Sequence, residues 1–474
     1  MRNLALKACL CLSVAASFFS ACQPGKAEKE EEQKRDVLVM RTTANETKKI
    51  NEEQVPFSDK ISESLPIITI KPDSTFQEMD GFGFTLTGGS AMHLAQMDTE
   101  SRKQILEELF SAEKGIGVSY LRLSLGASDL DEHVFSYHDL KEGESDPNLD
   151  QFDLGYDKKY LIPVLKEILG IYPDLKLMAS PWSPPVWMKD NNDTRGGSLL
   201  EENYPVYANY LVKYIQEMDN EGITIDALTV QNEPLHPGNN PSLLMPAEAQ
   251  AEFIKNHLGP AFEKAGLATK IIIYDHNADR PDYPISILDD PEANKYIDGS
   301  AFHLYGGEIE ALSEVHAAHP DKNLYFTEQW IGAPGDFPEN LQWHTRELII
   351  GATRNWCKTV LEWNLAADEN EKPHTDRGGC DRCLGAITIE GNKVTRNPAY
   401  YIIAQASKYV RPGARRIASN LPEQLPNVAF QNIDGSIVVI VLNDGKESKQ
   451  FNISLAKEMI QSSLQAGEVA TFVM

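Results

Sequence analysis

The stretch Ala227-Leu-Thr-Val-Gln-Asn-Glu-Pro234 places a short apolar, β-branched run just before a glutamate. A second stretch, Asn323-Leu-Tyr-Phe-Thr-Glu-Gln-Trp330, repeats this arrangement around Glu328. Such runs are typical of buried strands, so each predicts a carboxylate at a strand's C-terminal end. Barrels of alternating strands and helices carry their reactive groups at that end. Two carboxylates that converge there are the minimum needed to cut a glycosidic bond.

Further strand-like runs precede and follow these two, and segments with helical periodicity lie between them. The predicted strands are Gly81–Thr87, Ser119–Leu125, Lys176–Trp182, Ala227–Glu233, Lys270–Asn277, Gly299–Tyr305, Asn323–Gln329 and Lys358–Asn364. Amphipathic segments such as Tyr160–Ile171 and Leu341–Thr353 have apolar residues three and four apart. The alternation predicts an α/β fold, a (β/α)8 TIM barrel, over residues 80–410. An open doubly wound sheet is the alternative, but no glycine-rich phosphate fingerprint follows any of these strands.

Both ends of the chain predict β-structure instead. Strand-like runs follow Arg411-Pro-Gly413 and are separated by Asp-Gly turns, and two more precede the barrel at Val37–Thr42 and Leu65–Ile70. Two or three strands are too few for an independent sheet. We therefore expect residues 36–79 and 411–474 to form one accessory β-sandwich that packs on the barrel.

The N-terminus predicts an export signal over residues 1–21. Arg2 and Lys7 precede an apolar run that is too short to span a membrane, and small residues lead to Cys22. A buried N-terminal helix is the alternative. The ending resembles a bacterial lipoprotein signal, which implies lipidation of Cys22 and a lipid anchor at the outer membrane or cell surface. Residues 22–35 have almost nothing apolar to bury and predict a disordered tether.

The charge balance argues against one class of partner. The formal net charge is −26 and there is no block of Lys or Arg, whereas nucleic acids require clustered cations. A neutral polysaccharide tolerates such a surface.

Signal cleavage would leave three cysteines, Cys357, Cys380 and Cys383. In an exported protein we expect a disulfide between Cys380 and Cys383, with Cys357 buried and free. Zinc held by these cysteines or His374 is the alternative, but a single Cys-x-x-Cys is weak evidence for a metal site. No metal and no cofactor are predicted.

A series of motifs between residues 80 and 410 resembles glycoside hydrolase family 30, which includes glucosylceramidases and microbial β-1,6-glucanases. The motifs are Gly81-Phe-Gly83, Leu121-Arg-Leu, Ser180-Pro-Trp-Ser-Pro, Gln231-Asn-Glu-Pro, Phe326-Thr-Glu328 and Glu362-Trp-Asn-Leu. By this resemblance Glu233 is the acid/base and Glu328 the nucleophile of a retaining β-glycosidase. The same resemblance makes Asn232 a ligand of the sugar's 2-hydroxyl and Asp129 a ligand of its far hydroxyls, although Asp129 could instead pair with Arg122.

Three aromatic residues complete the predicted substrate site. Trp182 and Trp363 are placed at strand ends, where an indole face can stack on a sugar and its N–H can donate, although core packing competes with this role. Tyr305 resembles the tyrosine that holds the nucleophile. His303, Asp275 and Asn277 could support the acid/base, or fill structural roles at the barrel rim.

The sequence thus predicts a β-glucosidic substrate, with the loop at residues 378–385 favouring a β-1,6-glucan through its resemblance to β-1,6-glucanase-like members. A glucosylceramidase or β-glucosidase of the same family is the alternative. A glycan-binding lipoprotein that does not cut its ligand is the alternative from another class, but such proteins are expected to lose a catalytic carboxylate, and this chain keeps both.

Overall fold

A computed structural model describes residues 36–57 and 64–474 of the chain. The predicted signal, Cys22 and the tether lie outside the described residues. Within the described part, no helix combines the length and the apolar character that a membrane crossing requires.

Eight parallel strands close into a barrel, as predicted. Labelled in chain order with the other strands, they are β4 (Gly81–Leu86), β5 (Tyr120–Leu125), β6 (Lys176–Pro181), β7 (Ala227–Thr229), β8 (Lys270–Asn277), β9 (Ile297–His303), β10 (Asn323–Glu328) and β11 (Cys357–Asn364). Gly83 explains part of the first motif, because a Cβ atom there would lie 1.8 Å from the carbonyl oxygen of Tyr120 on the neighbouring strand. Glycine allows these two backbones to approach.

Helices surround the barrel. They are α1 (Gly88–Gln96), α2 (Thr99–Phe110), α3 (Leu161–Ile171), α4 (Tyr204–Asn220), α5 (Ala247–Phe253), α6 (Gly259–Ala265), α7 (Asp282–Leu288), α8 (Pro291–Asn294), α9 (Ala311–Ala318), α10 (Phe337–His344) and α11 (Pro398–Ser407). π-helical turns at Ile254–Leu258 and Thr345–Ala352 extend α5 and α10. The first helix begins where β4 ends, because Thr87 accepts a hydrogen bond from the Ser90 N–H and caps the helix.

Strands from both ends of the chain share one nine-stranded sheet, in the order β19-β18-β3-β15-β16-β17-β20-β1-β2. They are β1 (Asp36–Thr42), β2 (Asn51–Pro56), β3 (Ile67–Glu78), β15 (Arg415–Ser419), β16 (Asn427–Gln431), β17 (Ile437–Leu442), β18 (Lys449–Leu455), β19 (Glu458–Leu464) and β20 (Val469–Val473). One face forms a separate apolar core in which Phe451 of β18 meets Phe472 of β20. The other face packs on the barrel, where Phe430 contacts Phe82.

The barrel interior contains an apolar layer beneath a polar one. Side chains that point inward recur every second residue along a strand, so Ala301 lies in the lower layer and His303 in the upper one. The lower layer comprises Tyr120, Met178, Ala227, Ile272, Ala301, Tyr325 and Leu361. The upper layer includes Arg122, Ser180, Thr229 and His303, each two residues beyond its lower-layer counterpart, and faces the mouth of the barrel.

Several strands differ from the sequence predictions. The fourth barrel strand ends at Thr229 rather than Glu233. Glu233 itself has a left-handed backbone, with φ of 45°, that a regular strand does not allow. The exposed edge strand β2 was missed, since its Asn-Glu-Glu-Gln sequence has no apolar alternation. A small sheet of β12 (Ala366–Ala367), β13 (Ile387–Glu390) and β14 (Lys393–Arg396) after the last barrel strand was missed as well.

Candidate active site

Arg122 of β5 organises the polar layer from the centre of the barrel. Its guanidinium is fully buried and donates to Glu328 Oε2 at 2.6 Å, Asp275 Oδ2 at 2.8 Å, Asn232 Oδ1 at 2.6 Å and Ser180 Oγ at 2.9 Å. Four strands or strand ends therefore meet on one planar cation, whose fixed fork of donors suits this task. The sequence alternative in which Arg122 serves as the partner of Asp129 is wrong.

Glu328 ends β10 and has a hydrogen-bond donor on each oxygen. Arg122 donates to one oxygen, and the Tyr305 hydroxyl donates to the other at 2.9 Å. Burial and the charge of Glu233 raise the pKa of Glu328, whereas His303 and Arg122 oppose that rise. The two donors fix the orientation of the carboxylate and favour its charged form.

Glu233 lies four residues beyond β7, and its Oε1 faces two imidazoles. His303 Nδ1 lies 3.2 Å from this oxygen and His276 Nδ1 lies 3.7 Å from it, while Asn239 approaches the other oxygen at 3.4 Å. Burial alone would raise the pKa of Glu233, but the two neighbouring histidines outweigh burial and lower it. The negative charge of Glu233 is therefore stabilised by histidines, whereas Arg122 stabilises that of Glu328.

His303 links the two glutamates. Its Nδ1 is 3.2 Å from Glu233 Oε1 and 3.9 Å from Glu328 Oε1, which places those two oxygens at most 7.1 Å apart. Its Nε2 lies 3.1 Å from Asp275 Oδ1. Burial lowers the pKa of His303, but the surrounding carboxylates outweigh it and raise the pKa to about 9. One proton is thus held on a ring that touches both carboxylates.

Asp129 lies in the loop after β5, beside the disulfide between Cys380 and Cys383. The Cys380 N–H counteracts the effect of burial on the pKa of the Asp129 carboxylate, and the backbone carbonyl of Asp129 accepts from the Thr375 N–H at 2.9 Å. Burial, together with the charges of Glu328 and Glu233, raises the pKa of Asp129 to about 8. A neutral carboxyl group therefore faces the two glutamates across the cavity.

Trp182 and Trp363 stack on each other at 5.4 Å, and the Arg122 guanidinium lies 4.8 Å from the centre of the Trp182 ring. Both indoles are almost fully buried, at 1% and 3% exposed. Their faces are therefore largely covered, and an indole edge is what each offers to the cavity. Trp330, which follows Glu328 by two residues and is half-buried, lines the same cavity.

The cavity has a volume of about 380 Å³, which suits a small ligand. Its lining unites most of the predicted site residues with several that the sequence did not single out. The lining residues are Asp129, Trp182, Glu233, His236, Asn239, His276, Asn277, Tyr305, Glu328, Trp330, Trp363, Cys380 and Cys383.

Comparison with known families agrees with this geometry. Residues 79–410 match the glycosyl hydrolase family 30 TIM-barrel domain, and residues 413–472 match the family's beta sandwich domain. The chain belongs to glycoside hydrolase family 30. It is therefore a glycoside hydrolase, as the motif series indicated.

Relatives in family 30 match most of this chain. An endo-1,6-beta-D-glucanase from Neurospora crassa is 34% identical over 389 residues, which cover 78% of this chain and 80% of the relative. A putative glucosylceramidase 4 from Caenorhabditis elegans is 30% identical over 444 residues, 88% and 84% of the two chains. Among solved structures, the endo-beta1,6-glucanase BT3312 has a TM-score of 0.87 and 37% identity, and the match covers 92% of this chain and 99% of that one.

The prediction for the cysteines of this family 30 chain is confirmed. Cys380 and Cys383 form a disulfide, and Cys357 is buried and free. The zinc alternative at these residues needed thiolates, and the two sulfur atoms are instead bonded to each other. The disulfide also forms part of the cavity wall, a position that the spacing alone did not indicate.

Sequence reasoning missed two features of the family 30 site. His276, the penultimate residue of β8, follows a bulge formed by two residues with positive φ, Tyr274 and Asp275, and this bulge breaks the alternation that predicts inward-facing positions. The central role of Arg122 was missed as well, because its partners Asp275 and Glu328 lie more than 150 residues away along the chain. For His276 the signal available was the run Asp-His-Asn at a strand end.

Proposed function

We propose that this chain is a retaining β-1,6-glucanase that uses Glu328 as nucleophile and Glu233 as acid/base. One observation carries the proposal: a single imidazole, His303, lies within 4 Å of both carboxylates at the mouth of a family 30 barrel. The resulting upper limit of 7.1 Å between their nearest oxygens is compatible with the separation of about 5 to 5.5 Å that retention requires.

In the first step, Glu328 attacks the anomeric carbon of the bound sugar. A bond forms between that carbon and a Glu328 oxygen while the glycosidic carbon–oxygen bond breaks. Glu233 gives its proton to the departing oxygen, so the leaving chain departs as an alcohol. Arg122 and Tyr305 hold Glu328 ready for this attack and stabilise its charge before it.

In the second step, water attacks the glycosyl-enzyme and Glu233 takes a proton from it. The carbon–oxygen bond to Glu328 breaks, and the sugar is released with its original configuration. Asn232 supports both steps, because its Oδ1 accepts from Arg122 and its NH2 group is left to donate to the 2-hydroxyl of the sugar. Asp129 and the edges of Trp182 and Trp363 bind the other hydroxyls.

The β-1,6-glucan assignment is supported by the relatives. Both the Neurospora crassa protein and BT3312 are named as endo-1,6-glucanases, and they are 34% and 37% identical to this chain. The Caenorhabditis elegans relative at 30% identity is named as a putative glucosylceramidase, which makes that activity the second candidate.

The test is product release from three substrates: pustulan, which is a β-1,6-glucan, glucosylceramide and xylan. We expect reducing ends from pustulan and none from xylan. Glucosylceramide cleavage without pustulan cleavage would favour the second candidate. Pustulan binding without any product would favour a non-catalytic glycan-binding protein.

Two variants test the residue roles. Glu328→Gln should abolish hydrolysis in a protein that still folds. Glu362→Gln is the matched control, because Glu362 is equally buried on the neighbouring strand β11 but pairs with His344 outside the cavity. Undiminished turnover by folded Glu328→Gln would rule out its role as nucleophile.

We further propose that the chain is exported and anchored to the outer membrane or cell surface by lipid on Cys22. The signal-like N-terminus supports this, and the disulfide is typical of oxidising compartments. A Cys22→Ala variant should move from the membrane fraction to the soluble fraction of cells. Unchanged membrane association would contradict the anchor.

A further inference from the structure

Three buried side chains direct potential metal ligands at one point beside the acid/base. Glu233 Oε1 lies 3.2 Å from His303 Nδ1 and 3.7 Å from His276 Nδ1. One ligand atom from each residue lies within 4.8 Å of the other two. Glu233 and His276 also line the cavity, so the point is accessible from the mouth of the barrel.

One of these ligand atoms has no other task. Within the described part of the chain, the buried His276 Nδ1 has no hydrogen-bond partner, because its 3.7 Å separation from Glu233 is too long for a hydrogen bond. Leaving a buried polar atom unpaired is costly. Its position facing Glu233 therefore indicates that something other than protein completes this group.

A carboxylate behind His303 orients the second imidazole. Asp275 Oδ1 lies 3.1 Å from His303 Nε2, and Asp275 is itself fixed by Arg122 and Thr327. Metal-binding histidines commonly donate their other ring N–H to such a carboxylate. A metal ion at this point would displace the proton that Nδ1 shares with Glu233 and bind the Nδ1 lone pair, while Nε2 keeps its own proton.

We propose that Glu233, His276 and His303 form a binding site for a Zn²⁺-class divalent ion, and that the bound ion inhibits the enzyme. Zinc binds nitrogen and oxygen at about 2.0 to 2.2 Å, which sets neighbouring ligands about 3.3 Å apart in a tetrahedron. The Glu233–His303 pair already has this spacing, and the Glu233–His276 pair exceeds it by about 0.4 Å. The cavity supplies space for water at the fourth position.

The ligand set also selects among ions. Two imidazoles with one carboxylate suit Zn²⁺, Cu²⁺ or Ni²⁺, whereas Mg²⁺ and Ca²⁺ prefer oxygen ligands alone. Inhibition follows because the ion takes the Glu233 oxygen that faces the histidines and excludes the proton held there, so this part rests on the proposed acid/base role of Glu233.

The test is calorimetric titration of ZnCl₂ into chain that carries no polyhistidine tag and has been stripped with a chelator. We expect one Zn²⁺ per chain and no binding of Mg²⁺. His276→Gln should lower the Zn²⁺ affinity at least about tenfold, as loss of even an outer-shell partner does. His236→Gln is the matched control, because His236 lines the same cavity outside this trio and its replacement should leave the affinity unchanged.

Hydrolysis assays then separate the two proposals. Zn²⁺ should inhibit the wild type with a constant that matches its calorimetric Kd, and His276→Gln should keep its own residual activity at that Zn²⁺ concentration. Absence of one-to-one binding, wild-type affinity in His276→Gln, or loss of binding in His236→Gln would overturn the site. Zn²⁺ binding as expected in a chain that hydrolyses nothing would instead overturn the proposed function and leave the site standing.

Discussion

The Nδ1 atom of His303 lies 3.2 Å from Oε1 of Glu233, and this contact allows the two residues to share a proton. Positive charge on the histidines lowers the pKa of Glu233, while the carboxylates around His303 raise the pKa of the ring to about 9. These shifts describe one proton shared by the pair. A general acid must hold a proton at working pH, so His303 supplies the proton that Glu233 transfers to the leaving group.

His303→Gln should therefore slow the step that needs acid catalysis. We expect kcat on pustulan to fall by about 100-fold or more, within the range typical of general acid catalysis. The kcat for an aryl glucoside with a strongly acidic phenol as its leaving group should fall far less, because that group departs without a proton. The ratio of the two rates, measured at one pH, is the readout.

The pH profile gives an independent check on His303. The proton is retained below about pH 9 and lost above it, so wild-type kcat/KM should fall as the pH rises through that value. In His303→Gln the fall should move to lower pH, because a carboxyl group alone must hold the proton. His319→Gln, which alters a surface histidine that pairs with Asp289, should change neither the ratio nor the profile.

Arg122→Met should destabilise the barrel strongly. It leaves Asp275 and Glu328 buried without their cation, and removing one member of a buried ion pair typically costs about 3 to 5 kcal/mol. Urea denaturation followed by tryptophan fluorescence measures the loss. Arg280→Met, which breaks an exposed pair with Asp282, should leave the midpoint almost unchanged, and equal midpoints for the two variants would contradict a central role for Arg122.

Local sequence patterns predicted those parts of the fold and the site that depend on residues close together along the chain. Each barrel strand is an apolar run, so the eight strands and the position of Glu328 at a strand end followed from periodicity. Glu233 was predicted to be the last residue of its strand, because nothing in its neighbourhood indicates its left-handed backbone. The Arg122 guanidinium donates to Glu328, which lies 206 positions further along the chain, and only the closed barrel brings the two residues together.

Replacing Cys380 and Cys383 together by serine should weaken substrate binding. The disulfide lines the cavity beside Asp129, so loosening it disturbs the position of a carboxyl group that we propose binds the sugar. We expect KM to rise about 3- to 10-fold, with a smaller effect on kcat. Cys357→Ala is the control, since that cysteine is buried away from the cavity and free, and a similar rise in KM there would contradict the positioning role.

Asp129→Asn should change the pH dependence of stability in a defined direction. The folded pKa of Asp129 is about 8, above the value of about 3.9 expected in the unfolded chain. Between these values the folded protein keeps a proton that the unfolded chain has released, so rising pH favours unfolding by up to about 1.4 kcal/mol per pH unit. The asparagine variant lacks this penalty. Its stability relative to wild type, measured by urea denaturation from pH 5 to 9, should increase with pH up to about 8 and then level off, while its KM for pustulan rises. Parallel stability curves for the two proteins would show that Asp129 is already ionised in the folded site.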